Sequence, residues 1–175
     1  KAAEWQINLF LANQWEYPYA ENLRNYIRYI HDIGKKVRFY LPLTTHDTGA
    51  PAQLFGKAEA AVSRYAVTAL MGTGQTGIVQ GTEHGYPEKI NFMGRKDKYR
   101  FPENTQITEG IRTVNRLLSS SSGFHQPGNL EWIDNGHGAV MAALRLSDTQ
   151  NGKGFLNFAN LVTQNQYAFA VDLTP

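Results

Sequence analysis

The stretch Val37–Gly49, V-R-F-Y-L-P-L-T-T-H-D-T-G, constrains the fold more than any other part of the chain. Val37–Leu43 is apolar, β-branched and aromatic, as a buried strand should be. Its Pro42 falls at the end, where a lost backbone donor matters least. On the upstream side, Leu23, Tyr26, Ile27, Ile30 and Ile33 recur at helical spacing through Ala20–Lys36, with Gly34 placed to end the helix. On the downstream side, Ala58, Val62, Tyr65, Ala66, Ala69 and Leu70 write the buried face of a helix over Lys57–Met71. A strand between two helices is a β/α alternation, and this one delivers His46 and Asp47 at its carboxyl end, where such folds keep their chemistry.

The flanking segments extend this pattern. Trp5–Ala12 is short and apolar, and its periodicity does not decide between a strand and the tail of an earlier element. Thr44–Gly56 reads as a loop, with Gly49 and Pro51. Gly72, Gly74 and Gly77 break the second helix and lead into a very short strand at Ile78 and Val79, followed by Q-G-T-E-H-G at Gln80–Gly85. The loop Tyr86–Asn104 carries Arg95, Lys96, Lys98 and Arg100; its length invites a functional reading, its charges that of a solvated face. Ile107, Ile111, Val114 and Leu118 predict a third helix over Thr105–Ser119. The run S-S-S-S-G at Ser119–Gly123 is the sharpest change of composition and the candidate domain boundary. Beyond it, Leu130–Ile133, Ala139–Leu146, Gly154–Leu161 and Tyr167–Leu173 read as strands separated by turns at Asp134–Gly138 and Asp148–Gly154, a pattern for an antiparallel sheet.

Composition excludes several classes. With 17 basic and 15 acidic residues the formal net charge is only +2, which makes no field for a polyanion, so no nucleic-acid partner is expected. No window approaches the roughly 18 apolar residues of a membrane span. The absence of cysteine removes disulfides and thiolate metal sites and leaves the compartment undetermined. His84, His125 and His137 are isolated, with no spacing that suggests a metal or cofactor. Lys1 stands without Met, and the first 13 residues lack the features of a signal peptide, so the chain is expected to begin within a longer protein.

Two readings compete for the elbow. Asp47 caps the helical region that follows, or closes a turn beside Gly49; alternatively His46 and Asp47 bind a polar ligand. Neighbours on an extended backbone point in opposite directions, so the second reading requires the chain to bend, which Thr48-Gly49 permits.

T-T-H-D-T-G resembles the fourth short motif of the α-amylase-type glycoside hydrolases, glycoside hydrolase family 13, in which an apolar strand leads into N-H-D-T. G-I-V-Q-G-T-E-H-G is similar to that family's I-Y-Y-G-Q-E-x-G stretch at the eighth barrel strand. The order of parts over about Ala20–Pro175 also agrees. The resemblance implies an α/β fold: residues 1–122 as the C-terminal portion of a (β/α)8 TIM barrel, its last two strand-helix units, with Val37–Leu43 the seventh strand and Ile78–Gln80 the eighth. Residues 123–175 are implied to be an antiparallel β-sandwich. It assigns His46 to the hydroxyls of the sugar being cleaved and Asp47, the one catalytic candidate, to those hydroxyls and to transition-state stabilisation. Hydrogen bonds that tighten on an oxocarbenium-like state lower its barrier.

The sequence departs from the family at Thr45, where Asn is usual, at Thr73–Thr76 in place of Pro-Gly-x-Pro, and at Gln80 in place of Tyr. A retaining mechanism needs two carboxyl groups about 5 to 5.5 Å apart. The family carries them on its fourth and fifth strands, and Glu4, Glu16, Glu21 and Asp32 lie in no similar motif. The residue matching Glu83 supports its loop in the family. The expectation is therefore a fragment of a retaining α-glucan hydrolase or transglycosidase, inactive alone, whose partners are an α-glucan or oligosaccharide and the missing N-terminal part of the same protein. A non-catalytic carbohydrate-binding or structural domain is the alternative, with Tyr86, Phe92, Tyr99, Phe101 and Trp132 as sugar platforms or as ordinary packing.

Overall fold

The computed structural model describes residues 4–91, 93, 99–147, 154–162 and 164–172. Three parallel strands, β1 (Leu9–Leu11), β2 (Arg38–Pro42) and β3 (Thr76–Gly77), pair in chain order. Leu9, Phe10 and Leu11 sit opposite Arg38, Phe39 and Tyr40, and Leu41 and Pro42 opposite Thr76 and Gly77. Helix α1 (Ala20–Gly34) makes the first crossover; α2 (Pro51–Phe55) and α3 (Ala60–Ala66) make the second. Helix α4 (Thr105–Ser120) follows β3, and β4 (Leu130–Trp132), β5 (Val140–Leu146) and β6 (Gly154–Asn160) form a separate antiparallel sheet. No barrel closes among the described residues.

The differences from the sequence expectations have local causes. The undecided segment Trp5–Ala12 supplies β1, so there are three parallel strands where two strand-helix units were expected. The last parallel strand lies at Thr76–Gly77, not at Ile78–Gln80. Leu41 N donates to Gln75 O at 2.7 Å and Leu43 N to Gly77 O at 2.8 Å. Between them Pro42 has no N–H to give, and beyond Gly77 Ile78 packs into the core instead. Gly77 makes room for the Tyr40 hydroxyl, which would have to move aside for a Cβ at that position.

The helix expected over Lys57–Met71 is α-helical only from Ala60 to Ala66 and opens into a π turn at Val67–Met71, while α2 occupies part of the expected loop. The buried Thr68 hydroxyl of the π turn lies 3.0 Å from that of Thr76, which donates to Leu41 O at 2.7 Å. The wider turn thus carries a polar tie from helix to sheet, and π turns of this kind recur where side chains must be re-aimed.

One apolar cluster joins Leu23, Ile27 and Ile30 of α1 to Phe39 and Leu41 of β2 and to Met141, Ala143 and Ala159 of the antiparallel sheet. Each large aliphatic side chain so buried contributes about 2 to 3 kcal/mol. A second cluster packs Leu43, Tyr65, Leu70, Ile107, Ile111, Val114 and Phe124. Both clusters cross residue 122, so apolar packing is continuous over the expected boundary.

Tyr167–Asp172 forms no strand, contrary to its alternating pattern, and Leu173 lies outside the described residues. The alternation serves a covering role instead. The His137 ring packs on Tyr167 and Phe169 with centroids 5.4 and 5.8 Å away, and Phe158 on Phe169 at 5.4 Å. His137 Nε2 to Ala168 O at 3.2 Å is a side-chain contact where a ladder was expected.

Two polar side chains inside the core connect the two sheets. Arg145 of β5 is fully buried and donates to Gly72 O, to Phe124 O at 2.8 Å and to Asn129 Oδ1 at 2.9 Å. His31 of α1 accepts from Gly128 N at Nδ1, 2.9 Å, which leaves the proton on Nε2 to be donated to Met71 O at 2.9 Å. The guanidinium Nη1, 3.4 Å from Nε2, then faces another donor. Burial first, and the Arg145 charge second, push the His31 pKa down from 6.5 to about 4.

Arg145→Met is expected to leave buried carbonyls unpaired and to destabilise the chain by about 3 kcal/mol, seen as a lower urea midpoint. His31 holds its imidazole neutral down to about pH 4, whereas an unfolded chain takes up that proton near 6.5. Acid therefore favours unfolding: this contribution is constant above pH 6.5 and removes on the order of 3 kcal/mol of stability as pH falls from 6.5 to 4. Urea melts against pH should show that slope, and His31→Gln should flatten it.

Candidate functional site

The carboxyl ends of the three parallel strands form one rim. β2 continues through buried Leu43 and Thr44 into the elbow, which is clasped by its own threonines. Thr45 N donates to Thr48 Oγ1 and Thr48 Oγ1 to Thr45 O, both at 3.0 Å, while Asp47 N reaches Thr45 Oγ1 at 3.3 Å. This bend turns two neighbouring side chains toward each other. His46 Nε2 stands 3.3 Å from Asp47 Oδ2, with the side chains 59% and 71% exposed.

Asp47 does not cap the following helix. That helix starts at Pro51, and Ala50 N donates to Gln53 Oε1 at 2.9 Å, so the N-cap amide is satisfied from within the helix. Asp47 is instead bound through its backbone: Lys89 Nζ, from the loop after β3, donates to Asp47 O at 2.7 Å.

The wall opposite the elbow comes from the β3 loop. Gly81 has φ +95, and Glu83 Oε2 accepts from its amide at 2.9 Å. The other Glu83 oxygen lies 3.8 Å from His84 Nε2, and Thr108 Oγ1 of α4 donates to Glu83 O at 2.8 Å. Glu83 is engaged in holding its loop. Tyr86, Tyr99 and Phe101 pack on one another, and His84 stacks on Phe101 with centroids 5.5 Å apart. These rings fasten the loop; Phe92, Arg95, Lys96 and Lys98 lie outside the described residues.

Between the walls lies a cleft lined by Thr44, Thr45, His46, Gln80, Gly81, Tyr86 and Lys89, with a cavity of only about 20 Å3. That is room for a single water. His46 lines it; Asp47 stands outside it, on the open rim. A carboxylate and an imidazole so placed can accept and donate hydrogen bonds to vicinal hydroxyls, but the cleft encloses no sugar ring by itself.

The loop after β1 completes the rim. Arg64 of α3 donates to Tyr17 O at 2.7 Å and to Pro18 O, and lies 4.5 Å over the Phe55 ring. Burial lowers its pKa to about 10, so it stays charged at neutral pH. Within this loop Gln14 is 3% exposed, and neither atom of its amide has a partner among the described residues.

The remaining sequence candidates have structural surroundings. His125 Nε2 lies 3.2 Å from Leu118 O, near the end of α4, and Trp132 packs half-buried against the main core. No group of three or more His, Asp or Glu among the described residues is arranged to hold a metal ion. Sequence reasoning missed Lys89 and Gln14; the length of the Tyr86–Asn104 loop was the one signal for the former, and the latter left none. No family model matches the chain, and no curated protein matches it either.

Gly81→Ala would force a left-handed φ on a residue with Cβ and place that atom 2.7 Å from Phe101 Cε1. The variant is expected to lose about 2 kcal/mol, measured as a fall in Tm, whereas Gln80→Ala on the exposed neighbour should leave Tm unchanged.

Proposed function

We propose that this chain is the C-terminal part of a retaining α-glucan-active glycoside hydrolase or transglycosidase, supplying His46 as a sugar-binding residue and Asp47 as the carboxylate that stabilises the transition state. The observation that carries the reading is the position of the His-Asp pair: an elbow at the carboxyl end of a parallel strand, facing the Q-G-T-E-H-G loop of the next. In this reading β1, β2 and β3 are the last three staves of a (β/α)8 barrel and β4–β6 belong to a β-sandwich. The nucleophile and the general acid come from upstream strands of the same protein.

Two features support the need for such a complement. Leu9 and Leu11, on the face of β1 turned away from the core, are 53% and 58% exposed, and the outer edge of β1 has no ladder partner among the described residues. The cleft is open where further walls would enclose a sugar. A hydrogen bond from a ring hydroxyl to Asp47 that strengthens as positive charge develops gives the carboxylate its effect on rate.

The chain alone should not turn over maltodextrins. Joined to its upstream coding sequence it should, and Asp47→Ala should then lower kcat by about a hundred- to a thousandfold. Unchanged turnover in that variant would refute the reading. Glucan binding that survives Asp47→Ala but fails in Trp132→Ala would point instead to a non-catalytic binding domain.

A further inference from the structure

The long loop after β3 is fastened at two places in its described part. The rings of Tyr86, at its start, and of Tyr99 and Phe101, near its end, pack together over Gly81, whose missing side chain makes the room. Between them in sequence, Lys89 crosses the cleft and donates to the backbone oxygen of Asp47 at 2.7 Å. Glu88, Lys89 and Ile90 line the cleft together with His46. The segment is therefore a strap over the carboxyl ends of β2 and β3.

The elbow's own hydrogen bonds hold Thr45 to Thr48 and the Asp47 amide to Thr45 Oγ1, and His46 Nε2 stands 3.3 Å from the Asp47 carboxylate; none of these contacts uses the Asp47 carbonyl. Thr48 N closes the turn on Thr45 O at 3.2 Å, so the peptide that follows Asp47 is held on its N–H side from within the turn. The charge-assisted bond from Lys89 holds the carbonyl side of the same peptide from outside the turn.

We propose that Lys89 is a positioning residue: by gripping Asp47 O it sets the direction of the Asp47 carboxylate, and so the sugar-ring geometry that the rim accepts. The proposal rests on the reading of Asp47 given above. Lys89 does not touch the sugar in this scheme. Its effect falls on kcat, because orientation matters most where the bond to substrate is strongest.

The test has two parts. In the 175-residue chain, Lys89→Met should shift the 1H–15N signals of Asp47 and Thr48 while leaving Tm within about 1 °C, as for other exposed polar contacts, and Lys89→Arg should restore them. Unmoved signals would overturn the grip. In the protein extended by its upstream sequence, Lys89→Met should lower kcat on maltooligosaccharides about tenfold with KM within about twofold, with rescue by Arg. Wild-type kcat in Lys89→Met beside a crippled Asp47→Asn would overturn the positioning role alone. Wild-type kcat in Asp47→Asn would overturn the reading of Asp47 itself.

Discussion

The carbonyl groups of Met71 and Gly72, at the end of the π turn, are where the antiparallel sheet is tied to the helices beside the parallel one. A helix terminus leaves carbonyl oxygens without intrahelical partners, and burying them without donors would cost several kcal/mol. Here His31 from α1 and Arg145 from β5 supply the donors. One side chain belongs to the parallel layer and the other to the antiparallel layer, so the same two bonds that close the helix also set the distance between layers. The apolar cluster of Ile27, Ile30, Leu41, Met141 and Ala143 then fills the space those bonds define.

The same junction reaches the candidate site through few steps. The π turn that ends at Met71 carries Thr68, Thr68 meets Thr76, and Thr76 bonds Leu41 O in β2. Two residues further on, Leu43 N takes Gly77 O, and the chain enters the elbow. The orientation of His46 and Asp47 therefore depends on a strand end whose register is pinned by hydroxyls and carbonyls and whose last residues, 41–44, are buried on both faces. A loop anchored by aromatic stacking closes the cleft from the other side.

How much of this was legible in the sequence depends on the kind of signal. Helices α1 and α4 could be read to within two residues because a single apolar stripe decides where each must lie. Strand β2 was legible from its run of β-branched and aromatic residues, and the elbow from its polar residues and glycine. β1 and β3 were not, since three and two residues hold no period; ladder bonds to β2 decided them. Ile78 and Val79 imitated a strand because core packing and sheet pairing select the same residue types. Tyr167–Asp172 showed a strand's alternation without a strand's partner. Arg145 stands near the end of an apolar strand, and nothing local announces that its guanidinium meets carbonyls far away in the chain. The pairing of His46 with Asp47 was conditional on a bend, which the threonine clasp provides; the contact of Lys89 depends on a fold-back that local sequence does not encode.

Because spatial order in the parallel sheet repeats the order of translation, each strand that leaves the ribosome finds its neighbour already made. Such a sheet grows by accretion at one border, and the entropy of closing each crossover rises only slowly with its length. The opposite border, the outer edge of β1, has no ladder partner among the described residues, and an open edge is a template for a further strand. At that border the strand is three residues long, which limits how firmly a stranger can be recruited there.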